Sequence, residues 1–294
     1  MLFNSLQFLV FFLVVYILYF VFVADNLATI VNPLFASSPP YNGASVVLAL
    51  YAFAFQIYCD FAGYSNMARG LGKFMGFDIM VNFNLPYFST NPREFWQRWH
   101  ISLSTFLRDY LYIPLGGNRS GPFIAYRNIA ITMLLGGLWH GAGWTFIIWG
   151  AYHGALIILH KASQPFFAKD TGDKAENTFF HKASFILRTI LFFHLVCLGW
   201  LFFRANSFTQ ALQMLQSIFI NVHIYGCGLS YQALKILFCV WFLLVIEYVQ
   251  YRRDNLTFIL HSSMPVRAGF YYICVFLLIF FGADAGRQFI YFQF

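Results

Sequence analysis

The segment from Asn128 to Leu159 constrains the fold of this chain more than any other. It contains no Asp, Glu, Lys or Arg, and its only histidines are His140 and His153. A run this apolar and longer than about 20 residues is typical of a membrane-embedded segment. Because an ionisable side chain is costly at membrane depth, it marks a functional site by default. The two histidines are therefore the first candidates for chemistry inside a bilayer.

The composition of the whole chain agrees with a membrane protein. Hydrophobic residues make up 60% of the sequence and charged residues only 10%, whereas a soluble domain carries about 25% charge. The net charge is +7, but the basic residues are spread between apolar runs, which indicates positive-inside topology rather than nucleic-acid binding. The five cysteines show no C-x-x-C spacing, so neither a metal site nor a disulfide framework is predicted.

Apolar segments suited to membrane helices recur along the chain, at 7–24, 45–64, 128–160, 184–203, 232–251 and 268–283. We therefore predict an all-α fold, a polytopic transmembrane helical bundle that forms a single membrane-embedded domain over 1–294. Residues 207–221 have apolar positions at helical spacing, which favours a helix at the interface or packed on the bundle. Residues 163–182 are polar and contain Gly and Pro, which predicts a solvated loop.

Residues 66–127 are too polar to span a bilayer and too aromatic for an ordinary loop. By the positive-inside rule, their basic residues place them at the cytoplasmic face; these are Arg69, Lys73, Arg93, Arg98, Arg108, Arg119 and Arg127. Pro92 predicts the start of a helix, capped by Ser89, Thr90 or Asn91. We interpret this segment as the cytoplasmic-face part of an active site.

An apolar stripe runs along that predicted helix, at Trp96, Trp99, His100, Leu103 and Leu107. The basic side chains lie elsewhere around the cylinder. The spacing therefore predicts one amphipathic helix that points His100 towards the membrane core.

Glycines surround His140 in the sequence GGLWHGAGW; they are Gly136, Gly137, Gly141 and Gly143. Glycines in a membrane helix allow close helix packing, but they also leave space through which a substrate chain can reach the imidazole. Both explanations stay open. His153 lies about 220° around an ideal helix from His140, so the two are not expected to share a site. We expect structural roles for His153 and His160.

A neutral histidine is the usual general base near pH 7, because it can take a proton from a hydroxyl that attacks an activated carbonyl. The sequence contains no G-x-S-x-G, H-E-x-x-H or P-loop motif, so Ser-triad hydrolysis, zinc catalysis and nucleotide hydrolysis are unsupported. Direct acyl transfer to an alcohol needs only a base, its orientation and polar groups near the developing oxyanion. The residues favour that reaction.

Long motifs follow one another along the chain: YCDFAGYSNMARGLGKFMGF (58–77), NFNLPYFSTNPREFWQRWHISLSTFLRDYLYIPLGGNR (82–119), RNIAITMLLGGLWHGAGWTFIIWGAYHG (127–154), GWLFFRA (199–205) and FIYFQF (289–294). Together they closely resemble membrane-bound O-acyltransferases of the bacterial alginate O-acetyltransferase type. The resemblance implies a multi-pass protein of the bacterial inner membrane, with helices around a tunnel. His140 matches the histidine of the family's W-H-G motif and His100 that of R-W-H-I-S, which form the family's active-site pair. The D-alanine exporter of teichoic acid modification, in the same superfamily, is a near alternative.

The resemblance also implies substrates and partners. The acyl donor, such as acetyl-CoA or an acyl carrier, is a substrate, and no bound cofactor is expected. A short acyl group, acetyl first, passes towards hydroxyls of an exported, alginate-like polysaccharide. The implied partners are the lipid bilayer and a periplasmic or otherwise extracytoplasmic acyltransferase protein.

Four more residues are expected to bind substrate or support the histidines: Asp60, Trp99, Trp139 and Arg98. Asp60 is expected to orient an imidazole or an arginine, or else to lie at the membrane surface. Arginines of the basic segment could bind the phosphates of an acyl carrier, although anchoring to anionic lipid explains the same charges; they are Arg93, Arg98, Arg108 and Arg119.

The match begins near residue 24, and the family's further amino-terminal helices have no counterpart here, so we expect an amino-terminal truncation. Two other functions stay open: an inactive remnant of the enzyme, and a transporter whose buried histidines carry protons or sugars. Covalent transfer from a labelled acyl donor would separate an enzyme from a transporter, which moves an unmodified solute.

We expect a cysteine at Gly121 to be labelled from the cytoplasmic side. Between residues 69 and 127 the basic residues outnumber the acidic ones, which are Asp78, Glu94 and Asp109, and this holds the segment at the cytoplasm. Labelling from the periplasmic side alone would contradict this orientation.

Overall fold

The structure is a computed structural model that describes residue 19 and residues 22–167, 179–224 and 227–282. Within these ranges all regular secondary structure is helical, which confirms the predicted all-α class. Most of the predicted helix 7–24, the middle of the predicted loop 163–182 and the motif 289–294 lie outside the described residues.

The α-helices of the described residues are α1 (Asp25–Ala36), α2 (Gly43–Phe74), α3 (Pro92–Arg98), α4 (Ile101–Leu107), α5 (Pro122–His140), α6 (Trp144–Phe167), α7 (Phe179–Arg204), α8 (Phe208–Ile220), α9 (Cys227–Arg253) and α10 (Met264–Phe281). Short 3₁₀ turns cover Pro86–Phe88 and Phe258–His261, and a π-helical turn covers Arg108–Tyr112. The predicted helix at 207–221 is confirmed by α8. The predicted loop at 163–182 is wrong at both ends, because α6 continues to Phe167 and α7 begins at Phe179.

Four helices in the described part of the chain are long and apolar enough to cross a bilayer: Gly43–Phe74, Lys182–Arg204, Gly228–Arg253 and Met264–Phe281. They coincide with the segments predicted at 45–64, 184–203, 232–251 and 268–283. The multi-pass character of the chain therefore rests on helices whose length and composition both suit a membrane.

The chain divides into two compact units, one of residues 1–81 with 212–294 and one of residues 82–211. In the first unit, the Tyr58 hydroxyl on α2 donates a hydrogen bond to the buried carboxylate of Glu247 on α9. The first turn of α2 is also held to the end of α8, because the Gly43 N–H donates to the Asn221 carbonyl at 2.8 Å.

The apolar segment 128–160, in the second unit, is a helical hairpin and not one helix. α5 ends at His140 and α6 begins at Trp144, and Gly141 between them is extended, with φ 166° and ψ 152°. Glycine is a poor helix former, and Gly141 and Gly143 flank Ala142, so the helix ends there. The predicted angle between His140 and His153 assumed a continuous helix and does not apply. Neither hairpin helix is among the four membrane-crossing candidates.

Glycines set the distance between the two helices of the hairpin. A Cβ on Gly137 would collide with the Phe146 carbonyl oxygen, and a Cβ on Gly150 would collide with the Met133 carbonyl oxygen. The two backbones therefore pack directly against each other. Close helix packing, one of the two explanations offered for the glycines around His140, is confirmed for Gly137.

The predicted continuous amphipathic helix after Pro92 is wrong, because the helix breaks at Trp99 and His100. α3 ends at Arg98, Trp99 is extended (φ −106°, ψ 128°), and His100 is left-handed (φ 43°, ψ 56°) before α4 begins at Ile101. Asn91 caps α3 as predicted, since its side chain accepts the Glu94 N–H at 2.9 Å.

Tertiary contacts explain the break. The Trp99 ring is buried against Phe83 and Trp200, with ring centroids 5.0 and 4.9 Å apart. Asn82 completes the start of α4, because its carbonyl accepts the Ile101 N–H at 3.0 Å and its side chain accepts the Ser102 N–H at 3.1 Å. These contacts replace the helical hydrogen bonds that the break removes.

The geometry of the loop before α5 refines the labelling experiment proposed above. Gly121 has φ 88°, which a cysteine adopts only with strain. Ser120 is exposed and is the better position for the same measurement.

We expect Gly137→Ala to destabilise the hairpin by about 1–3 kcal/mol, because the added methyl group overpacks a backbone contact. Thermal unfolding in detergent measures the effect as a lowered melting temperature. Gly143→Ala is the matched control, since its Cβ would make only an ordinary 3.5 Å contact with the Phe146 ring. Equal melting temperatures for the two variants would contradict the role of Gly137.

Candidate active site

The second unit contains a cavity of about 350 Å³ between the hairpin and the α3–α4 segment. This volume lies at the lower end of the roughly 300–1,000 Å³ that is typical of small-molecule sites. Its lining combines an apolar wall with polar groups; the residues are Arg93, Trp96, Leu103, Ser104, Leu107, Arg108, Tyr112, Asn118, Ile129, Thr132, Met133, Gly136, His140, Trp149, Ile157, His160, Lys161 and Gln164.

The cavity runs along one face of α5. Ile129, Met133, Gly136 and His140 are spaced at helical intervals, and a rise of about 1.5 Å per residue places His140 roughly 16 Å along the axis from Ile129. Gly136 is among the lining residues, and a Cβ there would come within 3.1 Å of Leu107. Gly136 thus forms part of the cavity wall, and the second explanation for the glycines, a path by which a substrate chain reaches the imidazole, stays a prediction.

The antiparallel α6 gives the cavity two chemically different ends. Trp149, near the start of α6, lies beside His140, with ring centroids 5.1 Å apart. Lys161 and Gln164, near the end of α6, line the opposite part of the cavity. One end is therefore aromatic and contains His140, and the other carries positive charge.

His140 is held by aromatic rings on several sides. Its ring centroid lies 5.0 Å from that of Trp139 and 5.2 Å from that of Phe203, besides the contact with Trp149. Packed rings restrict the orientation of the imidazole. The predicted base is thus positioned on the wall of a cavity.

His100 lies close to this site but does not line the cavity. It is buried at the break between α3 and α4, and its ring centroid is 6.1 Å from that of Trp139. Trp139 therefore contacts both predicted histidines. Burial lowers the pKa of His100 to about 3, with a smaller contribution from His140, so the imidazole is neutral at pH 7.

The residues expected to support the histidines lie in different places. Trp139 is 59% exposed and Trp99 is buried, and neither lines the cavity. Arg98 also lies outside the lining, because its guanidinium pairs with Glu94 at 3.0 Å and donates to the Asn84 carbonyl at 3.2 Å. Asp60 is buried on α2, in the first unit. Its role in orienting another side chain stays a prediction.

Several lining residues were not found from the sequence. Trp96, Trp149, Lys161 and Gln164 were not proposed as site residues, and His160 was expected to be structural. The available signal was the spacing of Ile157, His160, Lys161 and Gln164, which puts polar groups on one face of a helix. The hydropathy of the segment predicts a membrane helix followed by a loop, which hides this polar face.

His153 is separate from the cavity, as expected, although for a different geometric reason. It is fully buried, its ring lies 5.3 Å from Trp96 and 5.1 Å from Trp149, and a Cβ on Gly199 would come within 2.6 Å of its Nε2. His153 therefore packs against two residues of the cavity wall, Trp96 and Trp149, without lining the cavity itself.

The fold and the site together define a class of protein, a helical membrane protein with a histidine on the wall of a cavity. A family model described as MBOAT, the membrane-bound O-acyltransferase family, matches residues 2–202. The match therefore begins earlier in the chain than the start near residue 24 that the motifs indicated. The chain belongs to this family.

Named relatives are similar to parts of the chain. It is 51% identical over 199 residues to a probable alginate O-acetylase of Azotobacter vinelandii, which covers 68% of this chain and 37% of the relative. It is 37% identical over 259 residues to a peptidoglycan O-acetyltransferase of Helicobacter pylori, with coverage of 88% and 45%. It is 34% identical over 173 residues to a teichoic acid D-alanyltransferase of Bacillus subtilis, with coverage of 55% and 42%. The chain thus spans less than half the length of each of these relatives.

We expect His100→Asn to make the stability of the protein less dependent on pH. The folded pKa of His100 is about 3 and an unfolded histidine has a pKa of about 6.5, so the unfolded state binds more protons between these values. The native chain therefore loses stability as the pH falls through this window. Asn cannot titrate and tolerates the left-handed backbone.

Thermal unfolding at pH 7 and pH 5 measures the difference. On going to pH 5, the free energy of unfolding of the native chain should fall by about 1–2 kcal/mol more than that of the variant. His194→Asn, at an exposed position, is the control. The same pH dependence in the native chain and in His100→Asn would show that His100 is not held neutral by the fold.

Proposed function

We propose that this protein is a membrane O-acyltransferase that passes a short acyl group, acetyl first, towards hydroxyls of an exported cell-surface polysaccharide. The observation that carries the proposal is His140 on the wall of a cavity whose far end is cationic. The names of the relatives support polysaccharide acceptors of the alginate, peptidoglycan or teichoic acid kind.

The acyl donor enters at the cationic end. Arg93 and Lys161 line the cavity and lie near each other, and their charges suit the phosphates of acetyl-CoA or of an acyl carrier's prosthetic group. Arg108 also lines the cavity, with its guanidinium paired with Asp109. The donor is a substrate, and the protein holds no cofactor of its own. Between this end and His140 the wall is largely apolar, with Leu107, Met133 and Ile157, which suits an uncharged thioester arm.

His140 acts as the general base. It takes a proton from the acceptor hydroxyl as the oxygen attacks the donor carbonyl, and its neutral form is required for that step. His100 acts beside it through Trp139, whose ring contacts both histidines. The aromatic packing around His140 holds the base in place while the two substrates meet, which lowers the entropic part of the barrier.

The modest volume of the cavity supports a short acyl group. A site of about 350 Å³ must also hold part of the donor's arm, and the rings of Trp96 and Trp149 form its wall near His140. A long acyl chain would need additional space beyond these rings. Acetyl is therefore the preferred group.

The predicted orientation of the chain suits the locations of its two substrates. The basic segment 66–127 faces the cytoplasm, where the donor is made, and the polysaccharide lies outside, so His140 is the meeting point. We place the protein in the bacterial inner membrane and infer an extracytoplasmic partner protein that receives or directs the acyl group.

We expect the full chain in lipid vesicles to transfer label from acetyl-CoA to an alginate acceptor, and to prefer acetyl-CoA over palmitoyl-CoA. His140→Gln should lower the rate by about 10²–10⁴-fold, the usual loss on removing a general base. His194→Gln, an exposed histidine outside the cavity, is the matched control and should keep the native rate.

Each outcome that contradicts the proposal refutes a different part of it. Normal turnover by a folded His140→Gln protein would refute the assignment of the base, and preferential palmitoyl transfer would refute the short-chain proposal. Transfer of neither group would favour an inactive remnant. Movement of an unmodified solute would favour a transporter.

A further inference from the structure

Three basic side chains from two helices meet at one end of the cavity. His160 and Lys161 lie on α6, Arg93 lies on α3, and all three line the cavity; we call them the basic cluster. Burial, and to a smaller extent the positive charge of Arg93, lowers the pKa of both His160 and Lys161, so the three groups lie near one another. Among the described residues no acidic side chain lines the cavity. Like charges gathered in this way favour an anionic ligand.

The acidic side chains closest in sequence to the lining arginines are engaged elsewhere. Glu94 pairs with Arg98 at 3.0 Å, and Asp109 pairs with Arg108 at 2.6 Å. In the part of the chain that the structure describes, no member of the basic cluster takes part in an ion pair. The charges of the cluster therefore face the cavity without a counter-charge from these residues.

Uncharged side chains that also line the cavity hold two members of the cluster. Lys161 Nζ donates to Asn118 Oδ1, which also accepts the Tyr112 hydroxyl at 2.7 Å. Because two donors occupy its oxygen, the Asn118 amide has its NH₂ group left to donate to a ligand. Gln164 Nε2 lies 3.4 Å from His160 Nε2, where a neutral imidazole accepts the amide N–H.

We propose that the basic cluster binds a phosphate ester of the acyl donor, and that His160 becomes a ligand of this phosphate only when it is protonated. The inference rests on the proposed acyltransferase function and deepens it, because it makes the affinity for the donor depend on pH. Arg93 and Lys161 supply permanent charges, and His160 supplies a third charge that the ligand induces. The diphosphate of CoA and the phosphodiester of an acyl carrier's prosthetic group share this chemistry.

Proton linkage fixes the direction of the pH effect. Without a ligand His160 is neutral at pH 7, because its pKa lies below the ordinary value of about 6.5. An anion within about 4–6 Å favours the charged imidazole and raises that pKa. The complex therefore binds more protons than the free protein, so the affinity rises as the pH falls. Protonated His160 donates from both nitrogens, and the Gln164 amide turns its oxygen towards the ring.

Dephospho-CoA is the probe for this site, because its diphosphate keeps a constant charge between pH 6 and pH 8, whereas a phosphomonoester titrates near pH 6. We expect the full chain in phosphatidylcholine nanodiscs to bind the probe about tenfold more tightly at pH 6 than at pH 8. Binding at pH 7 should take up most of one proton. Calorimetry in two buffers of different ionisation enthalpy measures both quantities.

Substitution of His160 tests its role directly. His160→Gln should bind the probe equally at the two pH values and take up no proton, because glutamine does not titrate. Arg93→Gln should weaken binding by about tenfold at both pH values, as the loss of a charged hydrogen bond does. The control is His194→Gln, an exposed position outside the cavity, which should keep the native pH dependence. A native pH dependence in His160→Gln, with a native melting temperature, would overturn the proposal.

Further ligands identify the source of the phosphate. Pantetheine, which has no phosphate, should bind weakly and without pH dependence, and binding as tight as that of the probe would overturn the phosphate site. Tighter binding of dephospho-CoA than of the methyl phosphodiester of 4′-phosphopantetheine identifies CoA as the donor, and the reverse order identifies an acyl carrier. If phosphatidylglycerol in the nanodiscs displaces the probe, the cluster binds lipid headgroups and its assignment to the donor fails.

These measurements need no turnover and are therefore independent of the proposed function. If the probe binds with the expected pH dependence but the native chain transfers no acetyl group, the proposed function fails and the phosphate site stands. If the native chain transfers acetyl groups but binds the probe equally at pH 6 and pH 8, the function stands and the role of His160 is refuted.

Discussion

The direct contact between the backbones of α5 and α6 is the constraint on which the second unit depends. Gly137 and Gly150 each face a carbonyl of the opposite helix at a distance that leaves no room for a Cβ. This contact fixes the hairpin so that His140, at the end of α5, lies beside Trp149 near the start of α6. Gly136, the neighbouring position, lines the cavity instead. Of these two consecutive glycines, Gly137 is thus required for helix packing and Gly136 forms part of the cavity wall.

The break between α3 and α4 depends on a different balance of energies. A non-glycine residue in the left-handed region costs about 1–3 kcal/mol, and His100 has φ 43°. Burying a large aromatic side chain such as Trp99 gains a comparable amount, and Asn82 supplies acceptors for the first N–H groups of α4. The break turns His100 towards Trp139, which it would not reach in this way from the stripe of one continuous helix.

Buried polar groups in the apolar parts of the protein differ in whether their hydrogen bonds are satisfied. In the first unit, the buried Glu247 on a membrane-crossing helix accepts a hydrogen bond from Tyr58 on another, as expected where an unpaired polar group is expensive. In the second unit, the indoles of Trp96 and Trp149 have no such partner among the described residues. The pairing of Glu247 is itself partial, because its Oε2 has no partner among the described residues; its other oxygen joins the two helices through Tyr58.

The sequence by itself determined the membrane class and the positions of four long apolar helices, and it predicted His140 as the base, because hydropathy and motifs are properties of contiguous residues. It did not reveal the turn after His140 or the left-handed backbone at His100, since both depend on contacts with distant segments. Arg98, expected near the substrate, pairs with Glu94, while Lys161, which is not among the predicted site residues, lines the cavity. Only the tertiary structure decided these roles, because the cavity wall is assembled from faces of α3, α4, α5 and α6, and a residue's place on that wall depends on how the helices pack.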